Sequence, residues 1–93
     1  MTKRWFKDPL YVKWRKEVYK RDNHCCQWPG CTIKKRLNAH HIVRWADSPA
    51  LRFVVENGIT LCYAHHKMIS GLETVYAAVF FKILAGKKNE RRL

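Results

Sequence analysis

Acidic residues are scarce in this chain, which has seven Asp and Glu against nineteen Lys and Arg and a formal net charge of +12. The unbalanced positive charge favours a polyanion partner, with nucleic acid ahead of a membrane surface. A basic surface without such a partner is the second alternative. It ranks second because basic residues occur in the N-terminal third, the centre and the C-terminal end: Lys13, Arg15, Lys16, Lys20, Arg21, Lys34, Lys35, Arg36, Lys87, Lys88, Arg91 and Arg92.

Long apolar runs are also missing. The charged N-terminus is not followed by the apolar segment of a signal peptide. The apolar stretch 75–85 is too short to span a bilayer, and it contains Lys82. We therefore expect no membrane association and a cytoplasmic location. In that reducing compartment, cysteines are expected to be metal ligands or free thiols before disulfides.

Internal repeats and long linkers are absent too, so we expect a single domain, 1–93. A core of this size gives little stability by itself, which makes a metal staple expected. The local signals predict an α+β chain. A basic amphipathic helix over 9–21 is expected to begin at Asp8-Pro9, followed by a hairpin strand over 37–43 and a turn at Asn57-Gly58. A helix over 61–69 capped by Thr60, a last helix over 73–85 and a loose basic tail over 86–93 complete the expected elements.

Four cysteines and a histidine pattern suggest a structural metal site. Cys26 and Cys31 flank a proline–glycine bend, which predicts a knuckle that directs two thiolates at one ion. Cys62 and His65 are three residues apart and would share one face of a helix. Together these four residues make a Cys3His set, which is a normal structural zinc sphere. Cys25 competes with Cys26 for this role; we prefer Cys26 for its tighter spacing and expect Cys25 to be a half-buried thiol.

Two pairs of adjacent histidines suggest a second, reactive site. His66 lies about 100° around the helix from His65, so the two must face different neighbours. His40 and His41 are expected to diverge because neighbours on a strand point to opposite faces, although irregularity in a short hairpin would bring both near one cleft. One imidazole would bind an ion, and another would be a general base for water. The alternative is that one histidine of each pair lies idle on the surface.

A family resemblance rests on three segments: Ala39-His40-His41-Ile42, Glu56-Asn57-Gly58-Ile59-Thr60-Leu61-Cys62 and Ala64-His65-His66-Lys67. In order, spacing and context they resemble the HNH endonucleases, in the small zinc-containing form common in bacteriophages. The upstream segments fit the same pattern, so that the likeness covers roughly residues 10–71: Trp14-Arg15-Lys16, Arg21-Asp22 and Cys26-Gln27-Trp28-Pro29-Gly30-Cys31. The resemblance implies a treble-clef-like ββα-metal fold, with a hairpin and a helix around one divalent cation and helices flanking both ends.

By this resemblance, His40 is a ligand of the catalytic cation and His41 is the general base that activates water. Asn57 braces the hairpin and orients His41, while His66 is the second protein ligand. The cation, which is Mg²⁺, Mn²⁺ or another transition metal, would bind a phosphate oxygen and the leaving 3′ oxygen. The implied activity is hydrolysis of DNA phosphodiester bonds in the host cell, by nicking with low sequence specificity.

The chain departs from the family pattern at two positions. His65 stands where the C-x2-C pair has its second cysteine. Ser70 stands one turn after His66, where some relatives, such as the nuclease colicins, carry another histidine. The reactive cation would then have two protein ligands, with water and phosphate filling its other positions.

Two other classes of function compete with a nuclease. A zinc module that binds nucleic acid without cutting explains the charge and the cysteines, but not His40, His41 and His66. An interaction protein would use the apolar stripe of helix 73–85, which either packs on its own core or forms a weak homodimer. DNA is the expected partner, phage packaging proteins are a further one by resemblance, and the aromatic residues are expected in the core or over the zinc: Trp5, Phe6, Trp14, Trp28 and Trp45.

Overall fold

The chain forms three layers, with a two-stranded antiparallel sheet between one helix on one face and two helices on the other. The computed structural model describes residues 7–92, with side chains up to residue 87; Trp5 and Phe6 lie outside the described residues. The expected α+β class is confirmed. The elements, in chain order, are α1 (Pro9–Arg21), β1 (Leu37–His41), 3₁₀ turns at Pro49–Leu51 and Val55–Asn57, β2 (Gly58–Cys62), α2 (Tyr63–Ile69) and α3 (Glu73–Arg92).

Helix α1 begins and ends where the sequence predicts. The Asp8 side chain accepts a hydrogen bond from the Leu10 N–H at 2.8 Å, which caps the first turn. Tyr11, Trp14 and Val18 then recur at helical spacing and are buried against the sheet. This packing fixes α1 on one face of the hairpin.

The strand register sends alternate residues to opposite layers. Leu37 pairs with Cys62 and His41 pairs with Gly58. His41 points toward α1 and stacks on Trp14, with ring centroids 3.9 Å apart. The opposite face packs on α2 and α3 and forms the larger apolar cluster, which includes Ile42, Ile59, Leu61, Ile69, Phe80 and Leu84.

The expected helix over 61–69 is wrong at its start. Thr60 does not cap a helix; it lies in β2, pairs with Ala39 and is fully buried. Its N–H donates to the Asp22 carboxylate at 2.9 Å. Because strand pairing and this buried carboxylate engage the Thr60 backbone, the helix begins only at Tyr63. The strand predicted over 37–43 is likewise shorter and ends at His41.

Gly58 serves close packing rather than the turn expected at Asn57-Gly58. Its backbone is extended, with φ −125° and ψ 148°. A Cβ at this position would lie 2.5 Å from Val18 Cγ2 and 2.6 Å from Trp14 Cζ2. Helix α1 can therefore approach the sheet this closely only where the residue has no side chain.

Asp22 joins the end of α1 to α3. Its buried carboxylate accepts hydrogen bonds from Arg21 at 2.8 and 2.9 Å and from Lys87 Nζ at 3.2 Å. Burial by itself raises the pKa of Asp22, but the hydrogen bonds and charge of Arg21 outweigh burial and hold the pKa below its ordinary value. Lys87 is thus anchored within a helix that continues to Arg92. The expected helix end at 85 and loose tail 86–93 are wrong over the described residues.

Helix α3 buries only part of its apolar side chains. Phe80 and Leu84 are buried, and Tyr76 and Ile83 pack at the edge of the core. Val75, in contrast, is 69% exposed. Within residues 7–92, no helix has the length and apolar character needed to cross a bilayer.

Candidate functional site

A tight bend brings the first two cysteines of the structural site together. The Cys31 N–H donates to the Trp28 carbonyl at 2.9 Å, and the Cys26 N–H donates to the Ile33 carbonyl at 2.9 Å. Gly30 occupies the bend with φ +82°, a left-handed conformation that favours glycine. The proline–glycine knuckle expected from the sequence is therefore formed.

The predicted Cys3His set is confirmed as a cluster that could hold a metal ion. The donor atoms of Cys26, Cys31, Cys62 and His65 all lie within 4.8 Å of one another. Nδ1 of His65 is 3.5 Å from Cys26 Sγ and 3.3 Å from Cys62 Sγ. A tetrahedral zinc with ordinary bond lengths separates a sulfur from a nitrogen ligand by about 3.5 Å. The four residues thus fit a structural zinc.

Cys25 lies beside this cluster. Its Sγ is 3.6 Å from the Cys26 carbonyl oxygen and 3.9 Å from the Cys31 carbonyl oxygen. The preference for Cys26 over Cys25 agrees with this arrangement, because a sulfur directed at carbonyl groups is a weak hydrogen-bond donor rather than a ligand.

Burial and hydrogen bonding act in opposite directions on the cluster thiols. Burial raises the pKa of Cys26 to about 12. Burial also opposes charge on Cys62, but hydrogen bonds from the His65 backbone and from Cys26 and Cys31 hold its pKa below the ordinary value. Zinc binding would require loss of these protons. Trp28 stacks on the His65 ring at 4.8 Å, as expected of a residue that covers the site.

A separate cleft of about 420 Å³ lies between α1, the hairpin and the start of α3. We call it the histidine cleft. Its lining includes three imidazoles, one carboxylate and two guanidinium groups: His40, His41, His66, Glu73, Arg15 and Arg44. The two histidine pairs diverge as predicted: His65 faces the cysteines, while His66 meets His40 edge-on with ring centroids 5.6 Å apart. Three of the four paired histidines, His40, His41 and His66, line this cleft.

His40 is the most deeply buried of these histidines. Only 5% of the residue is exposed, and its Nε2 has no hydrogen-bond partner among the described residues. Burial, followed by the nearby His66, lowers the pKa of His40 to about 4. Burial also lowers the pKa of His66. Both rings are therefore neutral at pH 7 and carry lone pairs for a cation, so the pair fits a divalent metal.

His41 is held by its surroundings in one tautomer. Its Nε2 lies 2.9 Å from the Arg52 carbonyl oxygen. A carbonyl only accepts, so Nε2 carries the proton and Nδ1 carries the lone pair. Trp14 stacks on one face of the ring and Trp45 meets it edge-on at 5.5 Å. Burial lowers the pKa of His41, while the hydrogen bond to Arg52 acts in the opposite direction.

Asn57 ties together the loop that carries the carbonyl partner of His41. Its Oδ1 accepts from the Val43 N–H at 2.8 Å, and its Nδ2 donates to the carbonyls of Val43 and Leu51 at 3.1 and 3.2 Å. Arg52, whose carbonyl contacts His41, follows Leu51 directly. The buried Asn57 amide thus supports the loop that carries the carbonyl partner of His41.

Glu73 and Trp14 are two residues of this site to which the sequence analysis gave no role there. Glu73 follows His66 by seven positions and lies beyond a break between two helices. Trp14 is far from the histidines in sequence, and its helical spacing indicates only a core position. No pattern within a few residues of either position predicts that it lies beside the histidines. Only the packing of α1 and α3 on the hairpin brings the two residues there.

Comparison with known proteins finds no matching family model, curated protein or solved structure.

Proposed function

We propose that the protein is a divalent-metal-dependent endonuclease of the HNH type that hydrolyses phosphodiester bonds of DNA. The observation that carries this proposal is the convergence of His40, His41 and His66 on one cleft. Arg15 and Arg44 line the same cleft, and guanidinium groups suit a substrate that carries phosphates. The net charge of +12 supports a DNA partner bound through its backbone.

In this proposal β1, β2 and α2 form a ββα-metal unit. His40 and His66 hold the catalytic cation, which the neutral rings and the unpartnered His40 Nε2 support. When bound, an Mg²⁺, Mn²⁺ or later transition-metal ion would act as a Lewis acid toward a phosphate oxygen and the leaving 3′ oxygen.

His41 is the proposed general base. Its Nδ1 takes a proton from water while its Nε2–H stays on the Arg52 carbonyl, which keeps the ring in place during the transfer. The water oxygen bonds to phosphorus, and the bond from phosphorus to the 3′ oxygen breaks. That oxygen leaves with the electron pair and gains a proton from solvent. Asn57 acts as a positioning residue through the 43–52 loop.

Plasmid nicking tests the proposal. Zinc-loaded protein is incubated with supercoiled DNA and Mg²⁺ or Mn²⁺, with a chelator in a parallel sample. We expect open circles only when the cation is present. His41→Asn keeps a side-chain N–H for the Arg52 carbonyl but removes the base, so the rate should fall about 10²–10⁴-fold. His24→Asn is the matched control, because His24 is exposed and is not among the residues that line the cleft.

The second candidate function is a zinc module that binds nucleic acid without cutting, which the Cys3His cluster and the charge favour. Wild-type nicking rates in folded His41→Asn protein would contradict the role of His41 as general base. DNA binding with no metal-dependent cutting by the wild type would support the zinc module instead.

A further inference from the structure

Glu73 lies at the histidine cleft although no spacing in the sequence connects it to the histidines. It belongs to the first turn of α3, and only residues 70–72 separate α2 from α3. The Leu72 N–H donates to the Ile69 carbonyl at 2.8 Å, which closes this short connection. The tight turn brings the start of α3 back beside His66.

The Glu73 carboxylate uses one of its two oxygens in a hydrogen bond. Its Oε2 accepts a hydrogen bond from the Gly71 N–H at 3.2 Å, at an exposed position. Among the described residues, its other oxygen accepts no hydrogen bond. Glu73 lines the same cleft as His40 and His66.

His40 supplies the independent observation that points to a ligand. Its Nε2 is buried in the wall of the cleft and has no hydrogen-bond partner among the described residues. Leaving a polar nitrogen unpaired in this way is costly, unless it binds something. A second imidazole and a carboxylate that line the same cleft provide the remaining donors for a cation.

We propose that Glu73 is a third protein ligand of the divalent cation in the histidine cleft, together with His40 and His66. This inference deepens the proposed nuclease function and rests on it for the cation's role. A carboxylate beside two imidazoles adds a hard oxygen ligand and one negative charge, which shifts the site toward Mg²⁺ and Mn²⁺.

Binding requires a side-chain adjustment. Among the described residues, only the Cys3His cluster has three or more such donor atoms all within 4.8 Å of one another. The donors of the histidine cleft must therefore move closer, to the separations of about 3–4 Å that ligands of one cation have. Rotation of the Glu73 side chain, whose present hydrogen bond is exposed, supplies this movement.

Glu73 has a second role that the experiment must separate from metal binding, because an acidic residue in a first turn stabilises its helix. Glu73→Gln keeps an oxygen for the Gly71 N–H but removes the anionic ligand. Glu17→Gln is the matched control, since Glu17 is exposed on α1 and its loss changes the net charge equally. Circular dichroism and zinc content confirm that each variant is folded.

Mn²⁺ alone is the probe, titrated into zinc-loaded protein while free Mn²⁺ is measured by electron paramagnetic resonance. We expect Glu73→Gln to weaken Mn²⁺ binding at least about tenfold, the lower end of what loss of a supporting partner of a metal ligand costs. Glu17→Gln should bind as the wild type does. Equal affinity in Glu73→Gln and wild type, or equal weakening in both variants, would overturn the inference.

Glu73→His separates ligation from charge. It restores a donor atom without the negative charge, so Ni²⁺, which accepts imidazole readily, should bind more tightly to it than to Glu73→Gln. Ni²⁺ affinity no higher than that of Glu73→Gln would show that only charge matters, which also overturns the inference.

Nicking measured on the same preparations distinguishes this inference from the proposed function. If the wild type cuts DNA and Glu73→Gln binds Mn²⁺ as tightly as the wild type does, the ligand role of Glu73 is wrong and the nuclease proposal stands. If Mn²⁺ binding depends on Glu73 but the wild type does not cut DNA, the ligand role stands and the nuclease proposal is wrong.

Discussion

Gly58→Ala tests the central packing contact between α1 and the sheet. At 2.5 Å from Val18 Cγ2, the added methyl group would be about 0.9 Å inside the 3.4 Å at which ordinary contact begins. Val18 and Trp14 are both fully buried, so neither side chain can move without disturbing the core. Overpacking of this kind costs about 1–3 kcal/mol. For a domain of this size, we expect the melting temperature to fall by roughly 5–20 °C.

The same substitution should reach the histidine cleft. Trp14 packs against Gly58, and its ring stacks at 3.9 Å on the imidazole of His41, the strand partner of Gly58. A displaced Trp14 must shift His41 or break its bond to the Arg52 carbonyl. Because a misplacement of about 1 Å can cost about 10²-fold in rate, nicking should fall by up to that factor in protein that is still folded.

Thermal unfolding at fixed zinc concentration measures the effect, with Gly86→Ala as the control. Gly86 lies inside α3, and an added Cβ would meet nothing within 4 Å. Its replacement should stabilise the helix by about 0.5–1 kcal/mol. A Gly58→Ala protein that melts at or above the wild-type temperature would refute the close-approach argument.

Three further predictions follow from the zinc cluster, the Asp22 contacts and the charge. Cys62→Ser should release zinc and lower stability sharply, as metal analysis and circular dichroism after dialysis against chelator will show; a native melt without zinc would count against the staple. Asp22→Asn should cost about 3 kcal/mol at pH 7, because it breaks a buried charge pair. The pKa of Asp22 is lower in the native state than in the unfolded state, so its contribution to the free energy of unfolding is complete above the unfolded pKa and is lost as pH falls through the native pKa. Denaturation at pH 7 and pH 3 should therefore show that wild type and Asp22→Asn differ less in stability at pH 3. DNA affinity should fall steeply with salt, and Arg15→Gln should reduce the slope of log affinity against log salt by about 1; a flat dependence in fluorescence anisotropy would argue against backbone contacts.

Signals that act within a few residues were enough to predict part of the structure. Asp8 and Pro9 determine the start of α1, because capping and the first turn involve only adjacent groups. The Cys26, Cys31, Cys62 and His65 cluster was predictable in part for a similar reason, since a bend fixes Cys26 near Cys31 and the short spacing across the start of α2 fixes Cys62 near His65. The divergence of the histidine pairs likewise follows from the periods of a strand and a helix.

Contacts between distant residues decided the rest. Lys87 meets Asp22 across 65 positions and keeps α3 helical where local signals predicted a loose tail. Thr60 is an excellent capping residue by type, yet its pairing in β2 and the Asp22 carboxylate place it in a strand. Glu73 reaches the histidine cleft only because α3 folds back on the hairpin. The sequence by itself thus determined the two zinc-ligand pairs, Cys26 with Cys31 and Cys62 with His65, because the spacing within each pair is local. Only tertiary packing decided which side chains meet at the histidine cleft, because such contacts depend on how whole elements bury their apolar faces together.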